Sequence, residues 1–249
     1  MKQVDRKKAG SSTGAYGYPT ADLDALKQKI VAVTERLNEF YGVAPWATKD
    51  PLSMLVEIML SHRTRDEQTL AAYDNLLKRF GSWEGVRDAP VEEVQQAISK
   101  VNWPEVKAPR LQAMLRRITE ERASLNLDFL RDVPVEEGAA WLDSIEGVGP
   151  KTRSCVLLFS CRKPILPVDT HVYRVSVRLG LIGQKVTPEV AHELLLALMP
   201  PDAQFIHDFH KDLLRHGQRI CVYGVPRCWE CPLTDLCDYY QTVVRPKQK

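Results

Sequence analysis

The reading of this chain turns on the stretch Glu146-Gly147-Val148-Gly149-Pro150-Lys151. Two glycines bracket one apolar residue, which permits a tight turn with a positive φ or a close backbone approach. Pro150 suits a first helical position, where its missing amide would have had no partner. Lys151 then rides the first turn of a helix. The amides of the turn point outward and form an anion site that suits a polymer phosphate.

Working outward, a helix from about Pro150 to Cys161 spans roughly 17 Å. Pro164 and Pro167 then enforce an extended path, and seven extended residues cover roughly 22 Å. That is enough to return Asp169, in Val168-Asp169-Thr170-His171, to the end that carries Lys151. Asp169 reads as the N-cap of a further helix, because Val172, Val175 and Leu179 repeat at helical spacing. A helix start disfavours a charged ammonium and favours a carboxylate, so an amine and an ionised acid are expected at one mouth. From Ile145 to Gly180 there are six basic residues against Glu146 and Asp169, which concentrates positive field on this stretch.

The rest of the chain reads as helices. The first covers Ala21 to Tyr41 behind Thr20, with Leu23, Leu26, Ile30, Val33, Leu37 and Phe40 at three- and four-residue spacing. Asp50-Pro51 starts a buried helix, Leu52 to Leu60, which ends in the polar break Ser61 to Asp66. Further helices are expected over Glu67 to Phe80, Val91 to Lys100, Glu105 to Glu121 and Val135 to Ser144. Thr187-Pro188-Glu189 opens another, stopped by Pro200-Pro201. The last runs from Asp202 to His216 and closes at Gly217. No segment alternates as a strand does, so the fold class is all-α, with roughly ten helices.

Cys221, Cys228, Cys231 and Cys237 are spaced C-x6-C-x2-C-x5-C. Four thiolates from one compact loop imply a metal centre in a reducing compartment. Tetrahedral zinc usually shows two close pairs, whereas one loop with one C-x-x-C suits a [4Fe–4S] cluster better. The alternative, two disulfides, would need an oxidising compartment. Cys155 and Cys161 sit on an apolar helix and read as buried thiols. His207, His210 and His216 share one amphipathic helix and read as packing or surface residues, a second metal site being the alternative.

At 249 residues the chain has surface for a real core. Its net charge of +2 is too small to prove a nucleic-acid partner, and no apolar run reaches the length of a membrane span. Residues 1–20 mix Lys, Arg, Gly and Ser without an apolar signal core, and read as a disordered arm. No membrane association and a cytoplasmic, nucleoid-associated monomer of bacterial or archaeal type are expected.

Gly147-Val148-Gly149-Pro150-Lys151, then Val168-Asp169-Thr170-His171, then the cysteine spacing, together resemble the endonuclease III family of helix-hairpin-helix DNA glycosylases over about residues 20 to 240. The resemblance implies two helical domains that bind damaged double-stranded DNA across a cleft. A six-helix barrel would span residues 45–143. Residues 21–44 and 144–249 would form the helix-hairpin-helix and cluster domain. It also implies a bifunctional glycosylase/AP lyase that excises oxidised pyrimidines. Lys151 would be the nucleophile that forms a Schiff base at C1′, and Asp169 the carboxylate that assists its deprotonation. Cys221, Cys228, Cys231 and Cys237 would ligate the [4Fe–4S] cluster. Gly147, Val148 and Gly149 would meet a phosphate, and Arg63 and Trp103, on two insertion loops, would fill the space of the extruded nucleotide.

Four departures stand out. Arg63 and Trp103 replace the Gln and aliphatic residue common in the family, and Glu146 stands where Pro is common. Between Cys221 and Cys228 the only base is Arg227, which predicts a shallower dependence of DNA affinity on salt. Three alternatives follow: a glycosylase of the same fold for pyrimidine dimers or mismatched bases, a non-catalytic DNA-binding module, and an electron-transfer protein.

Overall fold

The computed structural model describes residues 17–20, 22–43 and 45–247. Every regular element among them is helical. Eleven α-helices follow in order: α1 (Leu23–Tyr41), α2 (Pro51–Ser61), α3 (Asp66–Phe80), α4 (Trp83–Asp88), α5 (Val91–Ala97), α6 (Pro104–Arg122), α7 (Val135–Asp143), α8 (Pro150–Cys155), α9 (Thr170–Leu179), α10 (Pro188–Leu196) and α11 (Ala203–Arg219). Their described residues fall into two compact units, one made of 17–43, 168–200 and 208–247, the other of 45–167 and 201–207.

In the second unit α2 is the central element. Leu52, Leu55, Val56 and Leu60 are buried on it, and it packs against α3, α6 and α8. Its start is set locally: Asp50 accepts the Ser53 amide at 2.9 Å and Pro51 occupies the first turn. Helix α8 continues through a π-helical turn, Val156–Ser160, whose Val156, Leu157 and Leu158 are buried. Arg162 then takes a left-handed φ of 54°. Because α8 and the π turn pack on α2 and α7, residues 144–167 belong to this unit. The expected division at residue 143 therefore falls instead at Pro167/Val168.

In the first unit α1 buries Leu26, Ile30, Val33 and Leu37. Each such side chain contributes about 1.5–3 kcal/mol on leaving water. Lys29 pairs with Asp238 at 2.7 Å, and Arg36 pairs with Asp235, so the polar edge of α1 holds the C-terminal segment. The cap of α1 is Asp22, which accepts the Ala25 amide at 2.9 Å, and Thr20 instead accepts the Asp22 amide at 3.2 Å.

Several expectations are corrected. Of the arm expected over residues 1–20, only 17–20 lie among the described residues, and those are packed. Tyr18 is buried and donates its hydroxyl to Leu194 O at 2.9 Å, while Gly17 O accepts from Gly183 N at 2.8 Å. Helix α4 was not anticipated. Ser82 caps it at 3.2 Å, but six residues are too short for an apolar period. Helices α5 and α10 end at Ala97 and Leu196, earlier than expected. Gly217 does not close α11, which runs through it to Arg219. A Cβ at Gly217 would lie 2.8 Å from His171 Cβ, and Arg174 Nη2 donates to Gly217 O at 2.8 Å. The glycine serves close approach to α9 rather than a helix stop.

Candidate functional site: a glycine turn, two loops and a cysteine cavity

The glycine turn uses its two glycines differently. Gly147 has φ 85°, which disfavours any other residue, and a Cβ there would lie 2.9 Å from Arg110 Cδ, so the arginine side chain would have to shift. Gly149 is extended (φ −113°) as the N-cap of α8, and a Cβ there would meet nothing within 4 Å. Val148 is buried and its amide donates to Ile145 O at 3.1 Å, which anchors the turn. The Gly147 and Gly149 amides have no acceptor among the described residues. Glu146 pairs with Arg110 at 3.0 Å, which offsets the negative charge it brings to the turn.

Lys151 follows Pro150 in the first turn of α8 and is half-buried. Beside it Thr152 is buried, with its hydroxyl 3.1 Å from His62 Nε2. Burial first, then the positive charges of Lys151, Lys107 and Arg110, hold His62 below its usual value. A neutral ring is thus favoured close to the amine.

His62, Arg63, Trp103, Lys107 and Arg110 line one open concavity of about 440 Å³. Arg63 and Trp103 are both exposed, both left-handed (φ 52° and 56°), and the guanidinium carbon lies 6.0 Å from the indole centroid. Left-handed backbone costs a non-glycine residue about 1–2 kcal/mol, and such strain collects at functional sites. The two loops are stapled. Lys107 Nζ donates to Leu60 O (2.6 Å), His62 O (2.9 Å) and Thr64 Oγ1 (3.0 Å). Asn102 donates its side-chain amide to Arg63 O and its backbone amide to Thr64 Oγ1, the latter at 3.2 Å. Sequence reasoning found Arg63 and Trp103 but missed Lys107, Asn102 and His62. The only signal was a run of polar residues at two helix junctions.

In the other unit Asp169 caps α9, its Oδ1 accepting both the His171 and Val172 amides at 2.8 Å. That leaves Oδ2 for other work and keeps negative charge at the positive helix end.

Cys221, Cys228, Cys231 and Cys237 line one cavity, and none of the chain's cysteines is in a disulfide. Burial, together with neighbouring thiolates, pushes Cys231 up to about 12, and burial also raises Cys228 and Cys237. Four thiolates there need a cationic centre. Donors are already aimed at three sulfurs: Arg178 Nη1 at Cys221 (3.3 Å), the Leu233 amide at Cys231 (3.4 Å) and the Tyr240 amide at Cys237 (3.5 Å). Among the described residues, no group of three or more His, Cys, Asp or Glu closes on a single metal ion. Four cysteine thiolates round one cavity are the donor type that an iron–sulfur cluster takes.

Cys155, Cys161, His207 and His210 are packed in the interior, and His216 lines the cysteine cavity. Cys155 and Cys161 are buried, and burial pushes Cys161 up to about 11. His207, His210 and His216 are each buried, and His207 stacks on Trp46 with centroids 4.3 Å apart.

A Gly-x-Gly-Pro-Lys turn opening a helix, in an all-helical chain with a four-cysteine cavity near its end, defines the helix-hairpin-helix class of repair proteins. The model of the HhH-GPD superfamily of base excision DNA repair proteins matches residues 56–201, and the chain belongs to that superfamily, within its endonuclease III-like group. Endonuclease III of Thermotoga maritima is 33% identical over 192 residues, which cover 77% of this chain and 84% of that protein. A thymine/uracil-DNA glycosylase of Pyrobaculum aerophilum is 31% identical over 203 residues, 79% of this chain and 84% of that one. Some plant relatives are far longer: this chain spans 9% of Protein ROS1C of Oryza sativa, at 32% identity, and 14% of DEMETER-like protein 2 of Arabidopsis thaliana, at 29%. Among solved structures, a trapped covalent endonuclease III–DNA intermediate matches with a TM-score of 0.74 at 24% identity, covering 88% of this chain and 99% of that one. A thermostable thymine-DNA glycosylase matches with a TM-score of 0.73 at 24% identity, with the same coverage. These likenesses establish the fold. No described helix is long and apolar enough to cross a membrane.

Proposed function

We propose that this protein is a bifunctional DNA glycosylase/AP lyase that acts as a monomer on damaged double-stranded DNA, in the cytoplasm and on the nucleoid, and that oxidised pyrimidines are its substrates. The observation that carries the reading is Lys151 on the first turn of α8, behind a glycine turn whose Gly147 and Gly149 amides are uncommitted, in a chain of this superfamily. Those amides take a backbone phosphate. Arg63 and Trp103 enter the duplex when the target nucleotide leaves the stack.

In this reading Lys151 Nζ attacks C1′ as the glycosidic C–N bond breaks, and the bonding pair leaves with the base. The Asp169 carboxylate stabilises positive charge developing on the sugar and takes the lysine proton. The C1′–O4′ bond then opens, O4′ leaving with the bonding pair and taking a proton, and the iminium so formed at C1′ acidifies C2′. Loss of that proton expels the 3′ phosphate and cuts the strand. Cys221, Cys228, Cys231 and Cys237 hold a [4Fe–4S] cluster, which when bound ties the C-terminal loop together and offers a redox-active centre.

A second reading, removal of mismatched thymine or uracil, is favoured by the similarity to the thymine/uracil-DNA glycosylase. One experiment tests both. Borohydride is added to the protein with duplexes carrying thymine glycol, a pyrimidine dimer, a T:G mismatch, uracil or an abasic site. The expected result is a covalent adduct on thymine glycol and abasic duplexes that disappears in Lys151→Gln. Trapping on T:G, uracil and abasic duplexes but not on thymine glycol selects the second reading, and neither adduct nor base release on any duplex overturns both.

A further inference from the structure

We propose that His216 donates its Nε2–H to the thiolate of Cys231, and that Tyr41 fixes the tautomer that lets it do so; the inference rests on the reading that the four cysteines hold an iron–sulfur cluster. His216 Nε2 lies 3.4 Å from Cys231 Sγ, and Nδ1 lies 3.1 Å from the Tyr41 hydroxyl. The ring is 1% exposed and lines the same cavity as the four cysteines. No other group assigned above to the site explains why an imidazole is buried there.

The chemistry fixes the direction of both hydrogen bonds. A ligating cysteine is a thiolate with no proton to give, so Cys231 Sγ accepts and Nε2 carries the hydrogen. A neutral imidazole then has a bare Nδ1, which only accepts. Tyr41 supplies that hydrogen, and burial keeps its hydroxyl protonated by pushing it up to about 12. Tyr41 is itself held in place: the Arg215 guanidinium lies 4.6 Å over its ring and Arg215 Nη1 donates to its carbonyl at 3.1 Å. Cys231 therefore receives two donors, His216 and the Leu233 amide.

Two consequences follow. Hydrogen bonds to cluster sulfurs stabilise the state with the extra electron, so the donor raises the reduction potential. Partners behind the ligands also orient them, and their loss typically costs about 10–100-fold in metal affinity. His216 is thus a positioning residue for the cluster, not a ligand.

The test uses the full chain purified without oxygen, as wild type, His216→Phe, His216→Gln and Tyr41→Phe. Iron and sulfide per chain, the cluster's reduction potential on an electrode, and the rate of bleaching by a chelator are measured. His216→Phe is expected to bleach about ten-fold faster or more, with its potential moved to more negative values. His216→Gln, whose side-chain amide still donates, recovers most of both properties. Tyr41→Phe falls between, because Nε2–H is no longer enforced. If His216→Phe retains no cluster, the potential of Tyr41→Phe decides. Loaded Tyr41→Phe, or loaded His216→Phe, with wild-type potential and bleaching overturns the inference. Wild-type protein that carries no iron and sulfide overturns the underlying cluster reading instead.

Discussion

Lys107 Nζ lies 2.9 Å from the carbonyl oxygen of His62, 45 residues away along the chain, and it also holds Leu60 O and Thr64 Oγ1. The carbonyls at the end of α2 lack helical partners, so one ammonium from α6 satisfies them and locks the Arg63 loop to the helix that follows Trp103. Burial pulls Lys107 down to about 8, which marks how far the group is removed from water. Lys107→Met is expected to cost about 1–3 kcal/mol in thermal unfolding, from carbonyls left without a donor. It should also weaken binding to a lesion duplex. Unchanged melting and binding would show that the staple is dispensable.

Trp103 separates stability from function. The ring is 49% exposed on a left-handed backbone, so Trp103→Gly should melt no lower than wild type and gain up to about 1 kcal/mol from relieved backbone strain. Lesion binding by fluorescence anisotropy should fall at least ten-fold. A marked fall in melting temperature would return Trp103 to a packing role.

The two glycines of the turn should respond in opposite ways. Gly147→Ala combines a positive φ with a 2.9 Å clash against Arg110, and about 1–2 kcal/mol of stability should be lost. Gly149→Ala adds a methyl in open space, so melting should hold while affinity for an abasic-site duplex drops. Full affinity in a well-folded Gly149→Ala would remove this turn from the DNA interface.

For Asp169, cap and charge can be divided. Asp169→Asn keeps an acceptor for the His171 and Val172 amides, so stability should change by a few tenths of a kcal/mol, whereas Asp169→Ala loses about 1 kcal/mol. Single-turnover base release should fall by 100-fold or more in both. If Asp169→Asn turns over at nearly the wild-type rate, the carboxylate is a cap and nothing else.

Asp212 gives the chain a pH signature. Its Oδ2 is buried with no hydrogen-bond partner among the described residues. Burial, then the negative charge of Asp208, raises it to about 6. The folded state therefore holds this proton more tightly than the unfolded state, and the associated stability is complete below about pH 4 and lost as pH rises through about 6. Asp212→Asn should melt higher than wild type near pH 7.5, by about 1–2 kcal/mol. The advantage should vanish near pH 4; one that persists there would belong to packing.

The helices were legible because their signals are local. Asp50, Asp169 and Thr187 announce helix starts from the residues beside them, and α1 carries an unbroken apolar stripe. Helix α4 is too short to show a period. Gly217 imitates a stop, and only its contact with His171 explains why the helix runs on. The candidate site divides in the same way. The glycine turn, the Asp169 cap and the cysteine spacing lie in contiguous stretches, so chemistry could be read directly from them. Lys107, Asn102 and His216 matter through partners that other segments supply, and no local pattern marks them out.

The interleaved make-up of the unit that holds the cysteines has a price during synthesis. Helix α1 leaves the ribosome ahead of residues 44–167, which separate it from the next stretch of its own unit. At about 5–20 residues per second, the face bearing Leu26, Ile30, Val33 and Leu37 waits roughly 6–25 s for its partners. Nascent chains should therefore engage a holding chaperone through α1 until residues 168–247 have emerged.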